Sequence, residues 1–452
     1  MNIPELGRPL DRRHFLSLVG GLGATAALAA CGGPGGDDTG STSPAGGSST
    51  GAVTPAGKIS FWSNHPGGSE EVTREIIAAF HAAQSDIEVE LVTAGANYEE
   101  IAQKFQTALT GGGLPDLVVL SDVWWFRYYM QGTITPLDDL IGQVGIDTSD
   151  YVDSLIGDYL YDGKQWALPW ARSTPLFYYN KEAWAAAGLE DRSPATWDEF
   201  TGWTEQLMTA NSDMYAFIHP PLAGYAGWSN QNVLWGYGGG WSAPDSFEIT
   251  CDSEASVAAV EFLKDSVYGG EWATVSATDA AADFSAGVAA ATILSTGSLV
   301  GVLDNAPFEV GVGYLPGGPE VQSPVCPTGG AGVGIPSSIP AENKLAAATF
   351  IKFLTEPDNA IKFSEATGYM PIRKSADASA MIAATPQRGV AIEQLAVTRP
   401  QDYARVFLPG ADIEMANTFA NILTANGDVA SELAALKSKL EEIYANEVEP
   451  NL

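Results

Sequence analysis

From Lys58 onward short apolar runs alternate with amphipathic stretches: KISFWS, a helical pattern near residues 70–84, IEVELV, a second helical pattern, then DLVVLSD. A period of two giving way repeatedly to a period of 3.6 dictates an α/β fold. Val72, Ile76, Ile77 and Phe80 share one helical face. Thr196-Trp197-Asp198-Glu199 has capping-box spacing ahead of another helix. Strands are expected at MYAFIHP and FEVGVGYLP, a helix over Ala341–Leu354, and a largely helical C-terminus from Ile413.

At 452 residues, with 45% hydrophobic and 17% charged side chains, the chain can bury two or more domains. Its 12 Trp and 16 Tyr exceed what packing alone requires, which points to a ligand surface. A net charge of −33 repels phosphate backbones and argues against nucleic acid as a partner.

Residues 11–17 read DRRHFLS and lead into an apolar Gly/Ala-rich stretch ending at Ala30. The pattern resembles a bacterial twin-arginine export signal, and Leu28-Ala29-Ala30-Cys31 resembles a lipobox, so residues 1–30 are expected to be removed and Cys31 acylated. Residues 31–57 are rich in Gly, Ser, Thr and Pro and cannot order themselves; as a tether they reach about 30 Å. Cys251 and Cys326 remain, either as a disulfide or as two separate buried thiols.

No cofactor or metal is expected. His65, His81 and His219 are far apart in sequence and lack ligand spacing, so they read as ordinary surface or helix residues. No G-x-S-x-G elbow or P-loop occurs. The Gly330-Ala331-Gly332-Val333-Gly334 run precedes Pro336 rather than a capped helix, so close backbone approach or a tight turn explains it better than a nucleotide site. Adjacent acids such as Glu99 and Glu100, or Asp138 and Asp139, lack the separation that glycoside hydrolysis needs.

Aromatic clusters carry more information, because Trp and Tyr faces accept the C–H side of a sugar or polyol while hydroxyls and carboxylates collect its O–H groups. Trp124, Trp125, Trp170, Tyr225, Trp228 and Trp235 are the candidates, each more often core than site when taken singly. Residues 169–189, PWARSTPLFYYNKEAWAAAGL, place Arg172, Ser173 and Thr174 immediately before an apolar strand at Leu176–Tyr179.

That stretch resembles the family 1 extracellular solute-binding proteins of ABC importers, most closely their glycerol-3-phosphate-binding branch. Asn97-Tyr98-Glu99, Ser295-Thr296-Gly297-Ser298-Leu299, Gly329-Gly330-Ala331 and Gly368-Tyr369-Met370-Pro371-Ile372 extend the resemblance over roughly residues 58–430. It implies a two-lobe periplasmic-binding-protein-like fold with a hinge and an interlobe ligand cleft. The expected lobes are 58–173 with 308–350, and 174–307 with 351–452.

By the same resemblance Tyr98, Asp122, Arg172, Ser173, Tyr225, Trp228, Ser295, Gly330 and Tyr369 line the site. Asp122 would accept hydroxyl protons, Tyr225 and Trp228 would stack, and Tyr369 would close over the ligand. One departure concerns phosphate: LPGADIEMAN aligns Glu414 where the branch has an arginine, leaving Arg172 or Arg405 to supply a guanidinium. The implied protein is a monomeric, lipid-anchored receptor on the extracytoplasmic face of the cell membrane. It would deliver a sugar, glycerol-3-phosphate or a glycerophosphodiester to ABC permease subunits. A membrane-anchored glycan hydrolase is the alternative.

Overall fold

The computed structural model describes residues 53–65 and 68–452; the expected export signal, Cys31 and most of the expected tether lie outside them. Ten strands form two five-stranded sheets: β1 Lys58–Ser63, β2 Glu88–Thr93, β3 Leu117–Ser121, β4 Leu168–Ser173, β5 Pro175–Asn180, β6 Tyr215–His219, β7 Ala273–Val275, β8 Ala289–Ser295, β9 Val310–Gly313 and β10 Gly329–Gly334. The first sheet has the order β2-β1-β3-β10-β4 and the second β9-β5-β8-β6-β7. In the first, β1 runs parallel to both neighbours, while β10 is antiparallel to β3 and β4. Every residue of β3, β4 and β5 is buried, as befits strands covered on both faces.

Helix formation follows the local signals. Val72, Ile76, Ile77 and Phe80 all face the core from the helix Gly68–Ala83. Thr196 Oγ1 accepts Glu199 N–H at 3.1 Å and starts the helix Trp197–Ala210, but the Glu199 carboxylate turns to Ala195 N–H and Arg192 instead of closing the box. Ala341–Leu354 is helical, as are Ala411–Ala425 and Val429–Ile443.

The chain passes between the sheets with little slack. β4 ends at Ser173 and β5 begins at Pro175, so Thr174, fully buried, is the one residue between them. Gln394 ties this crossing to the return: its Nε2 donates to Pro175 O at 2.7 Å and Thr174 Oγ1 at 3.1 Å, while its Oε1 accepts Leu315 N–H at 3.1 Å.

Two expected boundaries shift. β9 falls within 308–350 but hydrogen-bonds to β5 of the second sheet, because Gly311 and Gly313 leave room for Tyr179 and Ser193 to pack over the strand. The helix Pro357–Thr367, expected with the second lobe, packs on the helix Gly68–Ala83, and its Phe363 lies 4.6 Å from Trp170 of β4. Cys251 and Cys326 are separate buried thiols, both pushed up in pKa chiefly by burial.

Candidate functional site

The site assembles at the ends of strands and helices from both sheets. Tyr98 opens the helix Tyr98–Gly111, and Asn97 fixes its place: Asn97 Oδ1 accepts Glu100 N–H at 2.9 Å while Glu100 Oε2 accepts Ala96 N–H at 2.8 Å. Asp122 follows β3, with its N–H on Gly330 O at 3.0 Å. Gly330 itself sits at φ +93° in a bulge of β10, where a Cβ would lie 2.2 Å from Ala171 O. Only glycine tolerates that position.

From the second sheet's side come Tyr225, Trp228 and Ser295. Trp228 Nε1 donates to Thr328 O at 2.9 Å and its indole lies over Gly329, where a Cβ would be 2.5 Å away. Tyr225 stands 5.7 Å from Trp228, ring to ring. Ser295 Oγ accepts Gly297 N–H at 3.1 Å, and Gly297 in turn leaves space for the Tyr369 ring. Gly368, at φ +88°, ends the helix Pro357–Thr367 and directs Tyr369 there.

Tyr98, Tyr225, Ser295 and Tyr369 retain partial exposure, yet burial raises the three phenols, Tyr369 to about 12. Burial disfavours the phenolate, so these hydroxyls stay neutral hydrogen-bonding groups.

The two arginines divide their roles. Arg172 is fully buried, paired with Asp158, and donates to Tyr159 OH at 2.9 Å. Thr328 Oγ1 donates to the same Asp158 at 2.6 Å, and burial holds that carboxyl above its ordinary value. Arg405 reaches across instead: Nη1 meets Asp122 Oδ2 at 3.0 Å and Nε meets Asp412 Oδ1 at 2.9 Å. Burial opposes its charge, and Asp412 and Asp122 overcome that opposition. Gln401 Nε2 donates to Asp122 Oδ2 at 2.7 Å. Glu414 stands in the first turn of the helix Ala411–Ala425, so the buried guanidinium nearest Asp122 comes from Arg405, nine residues upstream of it.

Of the expected residues, Asp122 and Gly330 meet directly, as do Tyr225 with Trp228. Tyr98 and Tyr369 each pack edge-on to one imidazole, that of His65, at 5.6 and 5.5 Å. Ser173 is buried where β4 pairs with Gly329. Trp125, Trp170 and Trp235 are core residues, whereas Trp124 stays half-exposed beside an outer groove of about 530 Å³. Sequence reasoning missed Asp158, Gln401 and His65. His65 and His219, expected as ordinary surface or helix residues, are buried, because aromatic rings close over the first and Ser266 and Phe217 hold the second. Gln401 lies four residues before Arg405, ahead of the short helix Tyr403–Val406.

The model of the bacterial extracellular solute-binding protein family matches residues 75–390. The sn-glycerol-3-phosphate-binding periplasmic protein UgpB of Escherichia coli K12 is 26% identical over 336 residues, covering 70% of this chain and 75% of its own length. UgpB of Mycobacterium tuberculosis, solved in complex with glycerophosphocholine, superposes with a TM-score of 0.83 at 43% identity, over 87% of this chain and 100% of that one. The maltose-bound MalE3 of T. maritima shares the fold at a TM-score of 0.76 and 24% identity, over 85% of this chain and 99% of that one. These neighbours are two-lobe binding proteins. With the family model spanning most of its length, the chain belongs to the bacterial extracellular solute-binding protein family.

Proposed function

We propose that this solute-binding protein captures a glycerophosphodiester, glycerophosphocholine being the representative, between its two sheet units and delivers it unaltered to an ABC permease. The observation that carries the reading is Arg405, a buried guanidinium set beside Asp122: one group recognises a phosphoryl oxygen and the other a glycerol hydroxyl. The M. tuberculosis relative holds glycerophosphocholine, which supports the same class here. Tyr98, Ser173, Ser295, Gly330 and Tyr369 line the hydroxyl-bearing part of the solute. Tyr225 and Trp228 form the aromatic wall, suited to a quaternary ammonium or a sugar face. Arg172 holds the layer behind.

Hinge closure about Thr174 brings both halves onto the solute, and a monomer suffices. Export through residues 1–30, acylation at Cys31 and the 31–57 tether place the receptor on the outer face of the membrane. Labelled palmitate incorporated by wild type but not by Cys31→Ala tests the anchor. Calorimetric titration with glycerophosphocholine, glycerol-3-phosphate and maltose tests the ligand. Saturable heat from glycerophosphocholine, lost in Arg405→Ala, is expected; heat from maltose alone would overturn the phosphodiester reading, and catalytic product release would revive a hydrolase.

A further inference from the structure

Taking the part of the chain built around the first sheet as the first unit and the part built around the second sheet as the second, the segment 401–407 is bolted to the second unit and faces the first. Asp402 N–H donates to Gln231 Oε1 at 3.0 Å, the Asp402 carboxylate accepts Trp241 N–H at 2.7 Å and Trp235 Nε1–H at 3.0 Å, and Ala404 N–H donates to Ser242 Oγ at 3.2 Å. From this anchored base Gln401 and Arg405 reach Asp122, as described. Phe407 reaches further, into aromatic residues of the first unit: Phe126 at 4.4 Å, Tyr161 at 5.7 Å and Trp125 at 6.0 Å between ring centroids. Phe126 and Trp125 belong to the helix Trp125–Met130 that follows β3 and Asp122, so the polar and the aromatic contacts join the same two rigid pieces.

Resting on the reading that the two units close on a solute, we infer that Phe407 is a positioning residue for ligand capture. Its ring, seated against Phe126, Tyr161 and Trp125, holds Arg405 against Asp122 and sets how long the closed form lasts. Phe407 lies two residues from Arg405, and on opening its ring and that of Phe126 would each lose the cover the other gives, Phe407 keeping Tyr403 at 4.6 Å and Phe247 at 6.3 Å and Phe126 keeping Tyr161 at 4.8 Å and Tyr129 at 5.3 Å. The contact therefore favours the closed state whether or not a solute is present. The solute adds its own bridging contacts to an equilibrium that this ring already biases.

The test uses the protein labelled at Thr107→Cys on the first unit and Glu261→Cys on the second, both exposed positions. Without ligand, F407A is expected to shift the distribution of label distances toward longer values, and F407L to restore the shorter ones. Identical distributions in wild type and F407A would overturn the inference. With glycerophosphocholine as the probe, F407A is expected to raise the dissociation rate about tenfold while association stays within about twofold. An unchanged dissociation rate would equally overturn it. If wild type binds no glycerophosphocholine, the proposed ligand falls, and the ligand-free distances still decide the role of Phe407.

Discussion

Asp122 Oδ2 and Arg405 Nη1 lie 3.0 Å apart although 283 residues of chain separate them. Both are buried, and Asp412 holds the same guanidinium from the other side at 2.9 Å. The pair joins the end of a strand in the first sheet to a segment anchored on the second unit. Polar groups that meet only when the units meet are what a closing receptor needs.

Removing one member of such a pair strands the others in a poorly solvated seam. Arg405→Ala is expected to cost about 3–5 kcal/mol in urea unfolding. Adding Asp122→Ala to it should cost less than the two single changes summed, with a coupling of about 1–3 kcal/mol. Additive costs would show that the two charges do not depend on each other.

Gln394 serves both crossings at once, so its loss acts on the hinge. Gln394→Ala leaves the Leu315 N–H without its buried acceptor and should cost about 1–3 kcal/mol. Gln394→Glu should cost more, because a carboxylate cannot donate to Pro175 O and is pressed against it. Equal midpoints for the two variants in chemical denaturation would contradict this account.

Glycine is required where β10 meets the cleft. Gly329→Ala would push a methyl against the Trp228 indole, and Gly330→Ala would force a side chain into a positive-φ bulge against Ala171 O. The first change should weaken solute binding more than stability, the second should lower stability by about 1–3 kcal/mol. Calorimetric titration and thermal melting of both variants separate the effects. Trp228→Ala should lower stability as well as affinity, because its indole N–H is bonded to Thr328 O and the ring is buried.

Acid should weaken the fold through its buried histidines. Burial lowers His65 and His219 each to about 4, so the unfolded chain takes up their protons first as pH falls below about 6.5. Their stabilisation is complete above that value and drains away toward pH 4. Asp402, raised to about 6 mainly by burial, acts oppositely: the folded chain takes its proton first, and that contribution is lost as pH rises through 6. Comparing variants isolates one group. His65→Gln should shrink the stability loss between pH 7 and pH 5 by about 2 kcal/mol; an unaltered pH slope would place the imidazole in water.

Much of this architecture was legible in local pattern. The helix Gly68–Ala83 follows from the spacing of Val72, Ile76, Ile77 and Phe80, and Thr196 declares the start of the helix Trp197–Ala210. Tyr98 was reached through the family resemblance that Asn97-Tyr98-Glu99 carries, and the structure sets it at the start of a helix capped by Asn97. Other features were not local. His65 reads as an ordinary surface or helix residue, yet it is buried because Tyr98, Trp170 and Tyr369, drawn from three distant segments, close around it.

Periodicity, capping and the glycines that a backbone cannot do without were settled by the sequence itself, because they depend on contacts within a few residues. Tertiary structure alone decided which sheet β9 would join, that Arg405 rather than Arg172 would pair with Asp122, and that Phe407 would cross to Phe126. The physical reason is that an edge strand's partner, a buried charge's counter-charge and a ring's neighbours are chosen by what remains unsatisfied when separate parts of the chain meet.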